Sequence, residues 1–384
     1  MKVLFINNCY GCLSTGRIVS DLCKHFSNDG NECAVAYGRR AVEDGTLLYK
    51  IGEKKDLYAH TLGARLFDNA GLGSKKATIK FIKWAEEFNP DMLWIHNIHG
   101  YYINYELLFS WIKKRPNMKV YWTLHDCWAF TGHCTHFSMM RCEKWKTGCK
   151  NCPQIHEYPK SLFVDNSNKN YTKKKELFTG VKDLTLITPS QWLADLVKDS
   201  FLSSYSVEVH HNKIDETVFK PTVSDLRMRL GLNKKTIILG VASTWSKRKG
   251  LDDLIKLSSM LDDRYVVLIV GLNKKQLKSL PTKIIGMGRT SSTDELVKVY
   301  SMADIFVNPS KEETFGLTTL EATSCGTKSI VYKDTASEEV VGKIGGIAVE
   351  QSPEALYEAI TGHKFQTPPR VGGDNLASSN KYCD

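Results

Sequence analysis

The sequence predicts an α/β protein built of two doubly wound halves, and three observations carry that reading. Short apolar runs of strand length alternate with stretches of helical spacing, which implies a mostly parallel sheet covered on both faces. The alternation falls into two series, separated by the polar crossing His210-His211-Asn212-Lys213-Ile214-Asp215. A length of 384 residues suits two domains or one large one.

In the first series Val3 to Ile6 reads as a strand, Asn7 to Gly16 as a loop, and Arg17 to Phe26 as a helix. Strands recur at Met92–Ile95, Val120–Leu124 and Leu184–Ile187, with a helical stretch from Ala77 to Trp84 ahead of the first of these. The second series gives strands at Thr236–Val241, Tyr265–Gly271, Lys283–Ile285, Ile305–Val307 and Ser329–Tyr332. These assign residues 1–209 to one domain and 210–362 to another, with a cysteine-rich insertion near 127–152 in the first. The stretch 363–384 holds Pro368-Pro369 and Gly372-Gly373 with little apolar periodicity and reads as a tail.

Composition narrows the function. Hydrophobic residues make up 42% and charged residues 24%, the balance of a globular enzyme and not of a disordered, collagenous or membrane-spanning chain. Lys+Arg 52 against Asp+Glu 42 leaves +10, which favours anionic partners such as nucleotide phosphates or anionic lipid. No run approaches eighteen apolar residues, and the apolar start is too short for a signal peptide, so a cytosolic chain is expected. The eleven cysteines are odd in number and five fall between Cys127 and Cys152, which fits a distributed disulfide framework poorly.

Ligands of open α/β sheets bind beyond the carboxyl ends of the strands, so the loops leaving the strands are the candidate sites. The richest runs from Val307 to Ala322: two acids, then a helix opening near Gly316 or Leu317, where free N–H groups suit a phosphate. Taken alone, Glu313 and Glu321 are more simply surface acids near a helix start.

The segment Glu313-Thr-Phe-Gly-Leu-Thr-Thr-Leu-Glu321, followed by Cys325-Gly326-Thr327, resembles the E-x7-E motif of retaining glycosyltransferases of the family-4 type. The resemblance extends back over Tyr300 to Ser310 and forward over Thr335 to Val341. It implies the GT-B fold, two Rossmann-like domains facing each other across a cleft. It also implies that Glu313 sits by the transferred sugar, that the backbone of Phe315, Gly316 and Leu317 holds the diphosphate, and that Glu321 binds the ribose. The basic pair before a Lys-Gly in that family is matched by Ser246-Lys247-Arg248-Lys249-Gly250, where Lys249 fits well. Ser243, Thr244 and Trp245 occupy the stretch that usually holds an arginine, and Arg248 is the substitute at hand. Fixed cations are required because the leaving nucleoside diphosphate gathers charge.

In the first half, Ser14-Thr15-Gly16 resembles the family's short glycine loop, with Gly16 admitting a close backbone approach. His125, at the end of its strand, resembles the family's active-site histidine. The loop His96-Asn97-Ile98-His99-Gly100-Tyr101 supplies the aromatic faces and planar donors that hold carbohydrate, so His96, Asn97, His99 and Tyr101 are expected acceptor contacts. Cys9-Tyr-Gly-Cys12 is formally a redox motif, but nothing else suggests a thioredoxin-like unit.

Cys134, Cys142, Cys149 and Cys152 form C-x7-C-x6-C-x2-C beside His133 and His136. Four converging thiolates would make a closed structural zinc site. The spacing is not that of a standard finger or ribbon, so structural zinc, reduced thiols and one local disulfide all stay open. Arg141, Lys144, Lys146 and Lys150 beside it would suit an anionic acceptor at a membrane surface.

The resulting expectation is a retaining glycosyltransferase of bacterial surface polysaccharide synthesis, cytoplasmic and peripheral at the inner face of the membrane. It would move a sugar from a nucleotide diphosphate donor to a glycan or polyprenyl-linked acceptor. No Asp-x-Asp pair ends a strand, so no catalytic metal is expected. A zinc-containing nucleic-acid or sugar-nucleotide binding protein without transferase activity is the alternative; the spread of basic charge argues against nucleic acid. In many relatives a final helix returns to the first domain, and residues 363–384 would be a shortened version of it.

Overall fold

The computed structural model describes residues 1–362, so the expected tail lies outside the described residues. The chain divides into two compact units, Met1–Asn212 and the chain from Lys213 onward, close to the linker expected near residue 210.

The first unit is a seven-stranded sheet of β1 (Lys2–Tyr10), β2 (Glu32–Ala41), β3 (Leu47–Lys50), β4 (Met92–Ile95), β5 (Lys119–Thr123), β6 (Leu184–Thr188) and β7 (Ser206–Val209). Their spatial order is β3-β2-β1-β4-β5-β6-β7, and every pairing is parallel. The run Val3 to Ile6 shows why a continuous apolar strand is needed. Leu4 and Ile6 enter one core with Ala34, Leu93 and Trp122, while Val3 and Phe5 enter a second with Val19, Val35 and Trp94. A strand buried on both faces has no polar side to spare.

The second unit holds β8 (Thr236–Val241), β9 (Tyr265–Val270), β10 (Ile284–Met287), β11 (Ile305–Asn308), β12 (Lys328–Tyr332) and β13 (Ile347–Val349), ordered β10-β9-β8-β11-β12-β13 and again parallel. Ile238, Val267, Val307 and Ile330 pack on one face against Leu254, Leu257, Leu356 and Ile360. Ile237, Leu239, Leu268 and Phe306 pack on the other against Val297, Tyr300 and Ala322. In both units the sheet order reverses at one place, β1/β4 and β8/β11, the position where ligands of such sheets bind.

A buried ion pair ties the edge of the second unit to its sheet. Arg227 reaches Asp304 with both terminal nitrogens, at 3.1 and 3.0 Å, and Asp304 also accepts the Ile237 N–H at 2.7 Å. Both side chains are almost fully enclosed. Removing one partner leaves an uncompensated buried charge, so Asp304→Ala should destabilise the second unit by about 3–5 kcal/mol, read as a fall in its urea midpoint. An unchanged midpoint would show that the pair carries no stability.

Candidate active site

At the β8/β11 switch point two loops close on each other. The turn Lys247–Lys249 follows β8 and ends on Gly250, which has φ +73° and opens the helix Leu251–Met260. A Cβ on Gly250 would lie 2.2 Å from the Pro309 carbonyl oxygen, so only glycine allows this approach. The Arg248 carbonyl accepts the Lys311 N–H at 2.8 Å, and the Arg248 guanidinium donates to the Glu312 carbonyl at 2.9 Å. Through this lacing Lys249 Nζ meets Glu313 Oε2 at 2.5 Å.

Beyond Glu313 the helix Leu317–Ser324 begins at Gly316, whose φ of +95° and closeness to Ser337 again require glycine. The first N–H groups of an α-helix have no partner within it, and Gly316 and Leu317 of the phosphate cradle expected at Phe315, Gly316 and Leu317 stand at that end. Asn308, buried at the end of β11, organises the loop: its amide nitrogen donates to Thr319 at 3.0 Å and its oxygen accepts from the Ser310 hydroxyl at 2.7 Å. One turn on, Glu321 accepts a hydrogen bond from the buried Tyr300 hydroxyl at 2.8 Å. The fold thus brings Arg248, Lys249, Glu313, Gly316 and Glu321 to one strand edge. Arg248 spends a donor on the loop itself. Trp245, in the stretch where the family's arginine is missing, is buried and donates to the Val270 carbonyl, a structural role. Arg289, from the loop after β10, reaches back to the Ser243 carbonyl at 2.8 Å and places an exposed guanidinium beside that stretch. Sequence reasoning did not single out this arginine, since 46 residues separate the partners.

In the first unit the β1/β4 switch point is held by Asn7, which donates to the Cys9 carbonyl and accepts the Asn97 N–H. Gly16 lies within the first turn of the helix Leu13–Asn28, packed on the Cys9 backbone, so it serves the contact of helix and strand. His96, at the end of β4, is fully buried, and its Nδ1 lies 3.0 Å from Nε2 of His125, at the end of β5. Next to them His99 Nε2 lies 2.9 Å from Asp126, off the hydrogen-bond axis, while Asp126 also accepts the Trp128 N–H at 2.9 Å. Burial raises the Asp126 carboxyl, but His99 outweighs it and the group is held down to about 2. Burial pushes His125 down to about 4 and His96 well below the ordinary range, so both rings are neutral at pH 7. Of the four expected acceptor contacts, Asn97 and His99 are half-buried at the edge of this cluster. His96 sits behind His125, and Tyr101 packs with Ala64 and Ala70. The residue sequence reasoning missed is Tyr158, whose hydroxyl lies 3.3 Å from His99 Nδ1; no local pattern links positions 59 apart.

The four cysteines of the insertion lie close together. Cys134 and Cys149 turn into the core formed by Phe130, Phe137 and Trp145, while Cys142 and Cys152 stay half-buried, and all four are free thiols. Cys149 Sγ accepts the Gly132 N–H at 3.2 Å. A hydrogen bond from Cys134 holds Cys152 down to about 7. Among the described residues no three His, Cys, Asp or Glu side chains are placed to hold a metal ion. Cys134 and Cys152 are hydrogen-bonded to each other, and structural zinc at Cys134, Cys142, Cys149 and Cys152 stays an expectation beside reduced thiols.

Comparison with known proteins bears first on the second unit. Residues 223–362 match the family described as glycosyl transferases group 1. The chain is 26% identical over 295 residues to the putative colanic acid biosynthesis glycosyl transferase WcaC of Escherichia coli (strain K12), covering 75% of this chain and 70% of that one. It is 25% identical over 285 residues to the D-inositol 3-phosphate glycosyltransferase of Corynebacterium jeikeium (strain K411), covering 67% of this chain and 64% of the relative's length. Among solved structures, sucrose-phosphate synthase from Thermosynechococcus elongatus superposes with a TM-score of 0.64 at 14% identity, covering 94% and 88% of the two chains. HepE of Anabaena in complex with UDP and glucose gives 0.62 at 15%, covering 95% and 91%. The likeness shows the GT-B architecture, and the match to the group 1 family lies within the second unit.

The neutral histidines of the first unit fix a pH response. His60 Nε2 accepts two backbone N–H groups, from Gly71 at 3.0 Å and Gly73 at 3.1 Å, and burial pushes it down to about 4. An unfolded histidine binds its proton near pH 6.5, whereas His60 and His125 refuse theirs until about 4. Their contribution is therefore complete above pH 6.5 and is lost as pH falls from 6.5 to 4, at up to about 1.4 kcal/mol per pH unit per histidine. Urea denaturation of the first unit should show a midpoint falling over that window, with a shallower slope in His60→Gln. A slope that His60→Gln leaves unchanged would refute the assignment for His60.

Proposed function

We propose that the chain transfers a sugar, with retention at the anomeric carbon, from a nucleoside diphosphate donor to a glycan or lipid-linked acceptor in bacterial surface polysaccharide assembly. The observation that carries this is the Lys249–Glu313 contact at the mouth of the Gly316 helix, with Glu321 one turn further, inside the segment that matches the transferase family. A donor diphosphate laid on the first N–H groups of that helix gains the helix dipole and the Lys249 ammonium. Glu313 then sits beside the sugar and Glu321 at the ribose. As the C1–oxygen bond to the diphosphate breaks, negative charge grows on the leaving oxygen, and Lys249 and Arg248 oppose it from fixed positions. The leaving phosphate takes the acceptor proton, so the protein supplies position and charge stabilisation. The printed description of WcaC supports the polysaccharide setting, and the UDP held by HepE supports a nucleoside diphosphate.

The acceptor side belongs to the first unit, with His125, Asn97 and His99 as its polar groups. In this reading a polyprenyl-linked acceptor brings the protein to the inner face of the membrane through an exposed apolar surface. Tyr58, Leu62 and Phe67 of the helix Lys54–Phe67 are 71%, 59% and 57% exposed, and Phe163 is 81% exposed. The Phe163 loop is held out by its own bonds: Ser161 donates to Ile155 and Val164 carbonyls, and the Leu162 N–H donates to Arg65. Lys54, Lys55, Arg65 and Lys160 are exposed around it.

UDP-, GDP-, ADP- and dTDP-sugars tested by thermal shift should stabilise the protein in one nucleotide class, by mass action. Glu321→Ala should abolish that shift. Silence towards every sugar nucleotide would sink the transferase reading. In co-sedimentation, vesicles containing phosphatidylglycerol should retain the protein, and Leu62→Asp/Phe163→Asp should weaken retention tenfold or more, given about 1.5–3 kcal/mol per large apolar side chain buried. Retention unaffected by the double substitution would rule out this surface.

A further inference from the structure

His96 and His125 form an unusual pair: two buried neutral imidazoles sharing one hydrogen bond. We propose that His96 is a positioning residue whose Nδ1–H donates to His125 Nε2, fixing His125 as the tautomer with its proton on Nδ1. The inference rests on the transferase reading for its consequence, but not for its geometry.

The two rings lie within 18° of parallel with centroids 5.3 Å apart. With the facing nitrogens at 3.0 Å, that separation is an edge-to-edge N–H···N bond and not a face-to-face stack. Burial keeps both rings neutral, so each carries one proton, and one of the two facing nitrogens must be the donor. If His125 donated from Nε2, the proton of His96 would sit on its own Nε2, which is buried and has no hydrogen-bond partner. An orphaned buried N–H is the costlier defect, since it forfeits a donor that water would have satisfied, whereas an unpaired ring nitrogen is tolerated more often. The proton of His96 therefore belongs on Nδ1, and His125 Nε2 accepts.

His96 is well held for this task. Its backbone N–H donates to the Ile6 carbonyl at 2.9 Å, and its carbonyl accepts from Trp122 Nε1 at 3.3 Å. Its ring lies within 13° of parallel to Trp94, whose own Nε1 is tied to Thr123 at 2.9 Å. The adjacent Asp126 accepts the Trp128 N–H at 2.9 Å and lies 2.9 Å from His99 Nε2.

The consequence is chemical. With Nε2 committed to His96 and Nδ1 protonated, His125 has no lone pair to receive the acceptor's proton, so it acts as a hydrogen-bond donor and not as a general base. When the acceptor oxygen bonds to C1 and the C1–O(phosphate) bond breaks, the acceptor proton goes to the leaving phosphate.

Nitrogen-15 NMR of the full chain with labelled histidine, assigned by loss of signals in His125→Asn, reads the tautomer directly. An unprotonated Nε2 and a protonated Nδ1 on His125 are expected, and a protonated Nε2 overturns the proposal. Two substitutions of opposite geometry give the functional test, since an asparagine amide nitrogen falls where Nδ1 was and a glutamine amide nitrogen where Nε2 was. At equal melting temperature, His96→Asn should keep kcat near that of the unsubstituted protein, while His96→Gln should lose about 10- to 100-fold with the donor KM unchanged. Equal losses in both folded variants overturn the proposal; if either fails to fold, the tautomer measurement decides alone. Donor-induced thermal stabilisation, which reports the second unit, should survive both substitutions. Its absence from the unsubstituted protein would indict the transferase reading and leave the tautomer result standing.

Discussion

The candidate site of the second unit depends on one close approach, the backbone of Gly250 against the carbonyl of Pro309. Any side chain at position 250 would collide with that oxygen and push the β8 and β11 loops apart. Once they are in contact, the remaining contacts follow from the chain's own geometry. The Lys311 N–H reaches the Arg248 carbonyl, the Arg248 guanidinium reaches Glu312, and Lys249 is left facing Glu313. Two cations and a carboxylate are thereby fixed beside a helix N-terminus before any ligand arrives. Electrostatic stabilisation of this kind is strongest when the groups need not reorganise during the reaction.

The first unit solves the equivalent problem with amides. At its own switch point Asn7 bridges two strand ends, because neither carries the charge that the second unit concentrates. His96 and His125 are kept neutral by burial, and the carboxylate of Asp126 is matched to His99. The two units thus offer different chemistry: fixed cations that suit a leaving diphosphate, and neutral hydrogen bonders that suit uncharged hydroxyl groups.

This contrast also explains how much the sequence disclosed. Strands buried on both faces are continuous apolar runs, so β1, β4, β5, β6, β8, β9, β11 and β12 were legible. β3, β7 and β13 lie at sheet edges and their residues are mostly exposed or half-buried, so no apolar run marked them. The donor residues were legible because loop and helix place Glu313, Gly316 and Glu321 within a few positions of one another. Tyr158 against His99 and Arg289 against Ser243 join distant loops through tertiary packing, and the resemblance supplied no motif for either.

The cysteine-rich insertion marks the limit of reasoning from spacing. Four thiols within nineteen positions satisfy a count that metal sites share, but the count is silent about the apolar residues threaded among them. Phe137 stacks on Trp145 at 4.7 Å and Phe130 meets the same ring at 5.5 Å, which gives the segment a core of its own. Lys174 completes it from outside the insertion: fully buried, it donates to the Trp128 and Thr131 carbonyls and places its ammonium 3.5 Å from the Trp128 ring centre. Burial pushes that lysine down to about 7, a cost tolerated only because its donors are matched to fixed carbonyls and an aromatic face. The turn so held follows directly on His125 and Asp126. The insertion's order and the His96–His125 pair therefore share one support, which its aromatic residues supply.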